Sequence, residues 1–181
     1  MMAQVAGSET SRVQMAAANS MQAKIDFIKK NAAASPIDQR PIVFSQTEIN
    51  AYFAQSRVKL PEGIKFVTFA LSRGEVMANM RVDFDEITAS ARSRHPLLTV
   101  FSGVHDVQVT ADAEGSGHIA HVNVRSATID GISVPKMALE MFIEKWVNPK
   151  YPNIRLNGEY RLPTKIDTVG IEHRRGIVTQ K

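Results

Sequence analysis

Apolar positions along the chain recur first with helical spacing and later with strand spacing. Val13, Ala17, Met21, Ile25 and Ile28 sit three or four apart in a stretch rich in Ala, Met, Gln and Lys, which predicts a long first helix from Ser11 to about Ala33. Ser35-Pro36 ends it, and prolines at 36 and 41 make the following stretch an extended connector. Ser45-Gln46-Thr47-Glu48 then has the form of a capping box, with Phe44 and Ile49 at hydrophobic-staple spacing around it. This predicts a short second helix from Gln46 to about Gln55 that buries Ile49, Tyr52 and Phe53, followed by a turn at Leu60-Pro61-Glu62-Gly63.

Beyond that turn the period falls from about 3.6 to 2, the spacing of a strand. Ile64, Phe66, Thr68 and Ala70 alternate with Lys65, Val67, Phe69 and Leu71; after Arg73-Gly74, Val76, Ala78, Met80, Val82 and Phe84 share one face of a return strand. A second hairpin places Val107, Val109 and Ala111, then Ala120, Val122 and Val124, on an inward face, with its turn at Glu114-Gly115-Ser116-Gly117. Ser133-Val134-Pro135 opens a third helix carrying Met137, Leu139, Met141, Phe142, Trp146 and Val147, which Asn148-Pro149 ends. Strands from Lys165 to Glu172 and from Ile177 to Gln180 close the chain. Strands in consecutive hairpins, about six in all, with helices on one side define an α+β fold built on an antiparallel sheet.

The 181 residues, 44% hydrophobic and 22% charged, suit a single domain: residues 1–42 as helix and connector, 43–181 as the second helix, sheet and third helix. With no cysteine, disulfides, Cys-based zinc sites, iron–sulfur clusters and thiol nucleophiles are excluded. A net charge of +4 is too small to imply a nucleic-acid partner, and the outward strand positions carry Asp, Gln, Thr, Asn and Arg rather than stacking aromatics. No apolar run approaches the ~20 residues of a membrane span, and no signal-peptide core follows the N-terminus; the chain reads as soluble as given, with a removed export signal equally compatible.

Chemistry-bearing motifs are sparse. The G-x-S-x-G elbow, the Walker A loop, H-E-x-x-H and G-x-G-x-x-G are absent. His118 and His121, three apart on a strand, face opposite ways and cannot share a metal. Asp83, Asp85 and Glu86 cluster at a strand end, where carboxylates serve as a cation or acid–base site or simply as a solvated terminus; an enzyme built on Asp83, Asp85 and His95 has no nucleophile to support it. Arg92, Arg94 and His95 form one small basic patch and Arg174-Arg175 another. Neither a cofactor nor a metal is expected. The eight methionines are the richer signal, because Met lines pockets that accept varied apolar ligands as readily as it fills cores. Phe66, Val76, Met80, Val82, Leu98, Val100, Met137, Met141, Phe142 and Trp146 are the candidate lining of an apolar groove between sheet and helices.

The stretch Val43-Phe44-Ser45-Gln46-Thr47-Glu48-Ile49-Asn50-Ala51-Tyr52, then Leu60-Pro61-Glu62-Gly63-Ile64, Val82-Asp83, and Ala127-Thr128-Ile129-Asp130-Gly131-Ile132-Ser133-Val134-Pro135 resembles, in that order, the tubular lipid-binding (TULIP-like) proteins of bacterial envelopes, of LmeA/YceB type. The resemblance covers about 130 residues, from Val43 to the C-terminus. It implies a strongly curved antiparallel sheet wrapped on a long N-terminal helix and a second long helix, and a non-enzymatic protein that binds or carries lipid in the periplasm or cell envelope, with transient contact to a membrane surface. It has no counterpart here for an export signal or a lipoprotein cysteine, and the first helix is unusually Ala-rich and polar. An adaptor domain with a solid core, binding a protein partner in an envelope complex, is the competing reading: it requires a large apolar patch on the first helix, whereas a carrier requires apolar space inside.

Overall fold

The computed structural model describes residues 2–89 and 102–181, with side chains from Glu9 onward. Helix α1 (Met2–Asn31) leads to β1 (Ile42–Ser45), α2 (Gln46–Ala54), β2 (Ile64–Ser72), β3 (Glu75–Asp83) and the short α3 (Phe84–Thr88). Strands β4 (Val104–Ser116), β5 (Ile119–Ile129) and β6 (Ile132–Ser133) follow, then α4 (Lys136–Phe142), a π-helical turn (Ile143–Val147), β7 (Asn157–Arg161), β8 (Ile166–Glu172) and β9 (Arg175–Gln180). The nine strands form one open antiparallel sheet in the order β1-β9-β8-β4-β3-β2, with β5 pairing β4 and also carrying β6 and β7. The fold is α+β.

Three differences from the sequence reading have local causes. Among the described residues there are nine strands rather than about six: β1 lies over the hydrophobic-staple residue Phe44, and β6 and β7 are short segments paired only with β5. The third helix is seven residues of α-helix and then a π turn, closed by the Asn148 N–H donating to the Ile143 carbonyl at 2.8 Å. The long first helix, which begins nine residues earlier than predicted, is docked along α2 rather than enclosed by the sheet.

The capping box is present as predicted: the Glu48 N–H donates to Ser45 Oγ at 3.1 Å and the Ser45 N–H to Glu48 Oε2 at 2.7 Å. The same helix seals a sheet edge. Asn50 Nδ2 donates to the Phe69 carbonyl at 2.9 Å while the Phe69 N–H donates to Asn50 Oδ1 at 2.7 Å, and the Leu71 N–H donates to Gln46 Oε1 at 2.8 Å. An edge strand left unpaired would template another chain, and here two α2 side chains one turn apart occupy its donors and acceptors.

The strand registers define one apolar face. Val67, Phe69 and Leu71 lie opposite Met80, Ala78 and Val76; Val107, Val109 and Ala111 lie opposite Ile129, Ala127 and Val124; Val169 lies opposite Val178. Bulges in β2 at Lys65, in β5 at Arg125 and in β8 at Asp167 each shift the alternation by one, and a bulge bends its strand.

Candidate functional site

The apolar face is covered differently along its length. At one end Val82, Phe84, Phe142 and Trp146 are all buried in one cluster, against which Met80, Val107, Ile129 and Val134 pack. The Phe142 ring sits 5.5 Å from Phe84 and 5.3 Å from Trp146, centroid to centroid. At the other end α1 and α2 lie near β1, β2 and β9: Phe44 and Ile28 are buried, and Gln180, 1% exposed, donates to the Ile28 and Thr164 carbonyls and accepts from Asn31 Nδ2. Between the two ends Val76, Ala78, Val109, Val122 and Val124 point from the same face yet stay half-buried. They form a strip of aliphatic side chains with water access, flanked by helices.

The ten predicted groove residues are not brought together. Val82, Phe142 and Trp146 fill the solid cluster, with Met80 packed on its flank. Phe66 is on the other face of the sheet, because the hairpin register from the Arg73-Gly74 turn pairs it with Arg81, and it is 50% exposed. Met137 (72% exposed) and Met141 (43%) project to the outer side of α4, because its sheet-facing stripe runs through Phe142 to Trp146. Only Val76 and Met80 border the half-buried strip. Leu98 and Val100, like the basic residues Arg92, Arg94 and His95, lie outside the described residues. The strip residues outside the predicted set, Val109, Val122 and Val124, carry a clear inward alternation in β4 and β5, which is the signal that marks them.

A depression of about 590 Å³ opens on the opposite, polar face, with Phe66, Asn79, Gln108 and Thr128 on its walls. Its polar groups are mutually satisfied: Arg81 pairs with Asp106 at 3.0 Å and Gln108 Nε2 donates to Asn79 Oδ1 at 2.8 Å. The acidic cluster also has a structural use. Asp83 caps α3, its carboxylate accepting from the Asp85 and Glu86 N–H groups, and Glu86 pairs with Lys65. Among the described residues no group of three or more His, Asp or Glu side chains is placed to hold a metal, and no helix is long and apolar enough to cross a membrane.

Glu48 and the His105–Asp130 pair are among the perturbed ionisable groups. Glu48 is opposed by burial, which raises its pKa, but hydrogen bonds from Lys24, Ser20 and the Ser45 N–H outweigh that and hold it at about 2. The His105 ring bridges two acceptors, Nδ1 to Asp130 Oδ2 at 2.5 Å and Nε2 to the Ser102 carbonyl at 2.6 Å. Only the doubly protonated ring donates to both, so its pKa is raised, by Asp130 first and by the carbonyl second. Asp130 is lowered in turn, chiefly by His105. It sits with Gly131 in a two-residue β5–β6 turn in which both residues have positive φ, 49° and 79°.

Comparison of the chain with protein-family models, with curated protein sequences and with solved structures finds no match.

Proposed function

We propose that the protein binds an acyl chain or similar apolar ligand along the half-buried strip of the sheet face, without catalysis, in the bacterial cell envelope. The observation that carries this reading is the unfinished core. Val76, Ala78, Val109, Val122 and Val124 stay half-buried on the one face where a core should be, and a contiguous apolar surface of that kind is normally covered by something. Bulges in three strands favour the curved, tubular form that the resemblance implies. The envelope location rests on that resemblance alone.

Burying acyl chain contributes about 0.8 kcal/mol per methylene, so eight methylenes laid on the strip gain roughly 6 kcal/mol before association costs. The competing adaptor reading asks for one large apolar patch on α1. Val13, Met15 and Phe27 are exposed there, yet at about 100° per residue Val13 and Met15 point some 160° apart, and Phe27 lies about 21 Å along the axis from Val13. They do not form one surface.

Native mass spectrometry of the purified protein, followed by organic extraction, tests the proposal. A retained acyl species, reduced in Val109→Trp and Val122→Trp variants that still unfold cooperatively, is the expected result. An apo mass that takes up no added fatty acid or phospholipid would overturn it.

A further inference from the structure

A second depression, of about 580 Å³, lies at the far tip of the β4–β5 hairpin, where Gly117, His118 and Ile119 meet Arg161, Leu162 and Lys165, with Lys181 beside them. Its walls are two tight turns locked together by backbone. In the first, Gly117 and His118 link β4 to β5 with φ of 59° and 65°; in the second, Thr164 and Lys165 have φ of 53° and 56°, closed by the Ile166 N–H donating to the Pro163 carbonyl at 3.0 Å. The His118 N–H donates to the Asp167 carbonyl at 3.1 Å, the Leu162 N–H donates to the His118 carbonyl at 2.8 Å, and the His118 ring Nδ1 is 2.8 Å from the Ile166 carbonyl.

Turns of this kind favour Asn and Gly, whose side chains tolerate positive φ. Here Thr164 is β-branched, and His118 and Lys165 are bulky, so three unfavourable left-handed residues surround one depression. Backbone held in such conformations is a pointer to function, because folding alone would be better served by Gly. What the turns present is cationic. Arg161, Lys165 and Lys181 are exposed and have no hydrogen-bond or ion-pair partner for their side chains among the described residues, which leaves three cations at one depression free to meet an anion. A carboxylate, Asp167, stands close by and faces His118, with 3.8 Å between Oδ1 and Nε2. Between the cations lie apolar side chains, Ile119 and Leu162.

We propose that this depression binds an anionic amphiphile, its phosphate or carboxylate headgroup taken by Arg161 and Lys165 and the first methylenes of its chain lying on Ile119 and Leu162. The site is separate from the strip on the sheet face, and either can fail without the other.

The test is a titration of the ¹⁵N-labelled protein with octyl phosphate, inorganic phosphate and octyl glucoside, followed through the amides of His118, Ile119 and Leu162. Octyl phosphate should shift these amides saturably, octyl glucoside should leave them in place, and inorganic phosphate should bind more weakly than octyl phosphate. Arg161→Gln and Lys165→Gln should each weaken octyl phosphate binding by about tenfold, with the rest of the spectrum unchanged. Both side chains are exposed, so the variants are expected to fold; should one not fold, loss of the octyl phosphate shifts on raising ionic strength reads the same charge dependence in the unaltered chain. Equal binding of phosphate and octyl phosphate, unchanged affinity in both variants, or no shift with octyl phosphate would each overturn the proposal. Shifts confined to Val109, Val122 and Val124 would support the acyl strip and overturn this site.

Discussion

The two ends of the covered sheet face are built from different chemistry. Where α4 and the π turn meet β3 and β4, the contact is aromatic and aliphatic: Phe142 meets Phe84 edge to face and Trp146 at a tilt, with little exposed surface. Where α1 meets α2 and β9, the contact is mostly directional. Lys24 Nζ donates to Glu48 Oε1 and to the Val43 carbonyl, both at 2.6 Å, Ser20 Oγ donates to Glu48 Oε1 at 2.5 Å, Tyr52 Oη donates to Gln22 Oε1 at 2.7 Å, and Asn31 is tied to Gln180. Apolar contact depends on volume and is indifferent to pH, whereas a charged network depends on geometry and protonation. The two ends should therefore fail under different insults, and the strip between them borders on both.

The largest effect is expected at the apolar end. Trp146→Ala removes the centre of the four-residue cluster and should cost about 3–5 kcal/mol in denaturant unfolding, with no change in the pH profile. A loss below 1 kcal/mol would mean that the cluster is not the main core. Next comes the seal on β2. Asn50→Ala leaves the Phe69 N–H and carbonyl without their partners and should cost about 2 kcal/mol. Because it also frees an edge, light scattering should rise with protein concentration more steeply than for the parent.

How much of this was legible in the sequence differs between the ends in the same way. The capping box at Ser45–Glu48 uses local spacing, and it is found where the four residues predicted it. The inward valines of β4 and β5 also obey a local rule, alternation, and their registers agree with it. Phe66 follows the same alternation, outward with Thr68 and Ala70, and only Ile64, beyond the bulge at Lys65, changes face. The π turn under Trp146 and the outward roll of Met137 and Met141 follow from which side of α4 meets Phe84, a long-range contact with no mark in the helix itself. The second role of Glu48, as acceptor for Lys24 and Ser20 from 24 and 28 residues away, is hidden for the same reason. Lys165 reads as the start of a strand, yet the backbone holds it and Thr164 at positive φ in a turn and the strand begins at Ile166.

A smaller effect separates the ends by charge. Glu48 has an ordinary pKa of 4.5 and is held at about 2 in the fold, so its contribution is complete above 4.5 and is lost as pH falls toward 2. Hydrogen exchange at pH 3 should therefore show α1 amides less protected than at pH 6, once corrected for intrinsic rates, while the α4 and π-turn amides keep their relative protection. Glu48→Gln should cost about 1 kcal/mol at neutral pH, since Lys24 is a third exposed and part of the charge interaction is screened, and it should abolish the acid sensitivity of α1. Equal acid sensitivity in the variant would place the source elsewhere.

The smallest effect has the opposite sign with pH and lies at the apolar end, which makes it the sharpest exception to the contrast. His105 stands beside the cluster, its ring 5.9 Å from Phe84, and it joins the Asp130-Gly131 turn leading into β6 and α4 to the Ser102 carbonyl. Arg81, Asp106 and Asp130 are the charged groups around it. The raised His105 pKa means that its contribution is complete below the ordinary value of 6.5 and fades as pH rises through the folded value. Asp130, lowered from 3.8, contributes fully above that value and loses its share as pH falls through its folded pKa. The His105–Asp130 contact is thus strongest between about pH 4 and 6.5. A proton NMR titration of His105 should give a pKa above 6.5 that returns toward 6.5 in Asp130→Asn, with the β5–β6 amides shifting alongside it. A His105 pKa at or below 6.5 in the parent chain would mean that the ring does not donate to both acceptors, and the apolar end would then be independent of pH throughout.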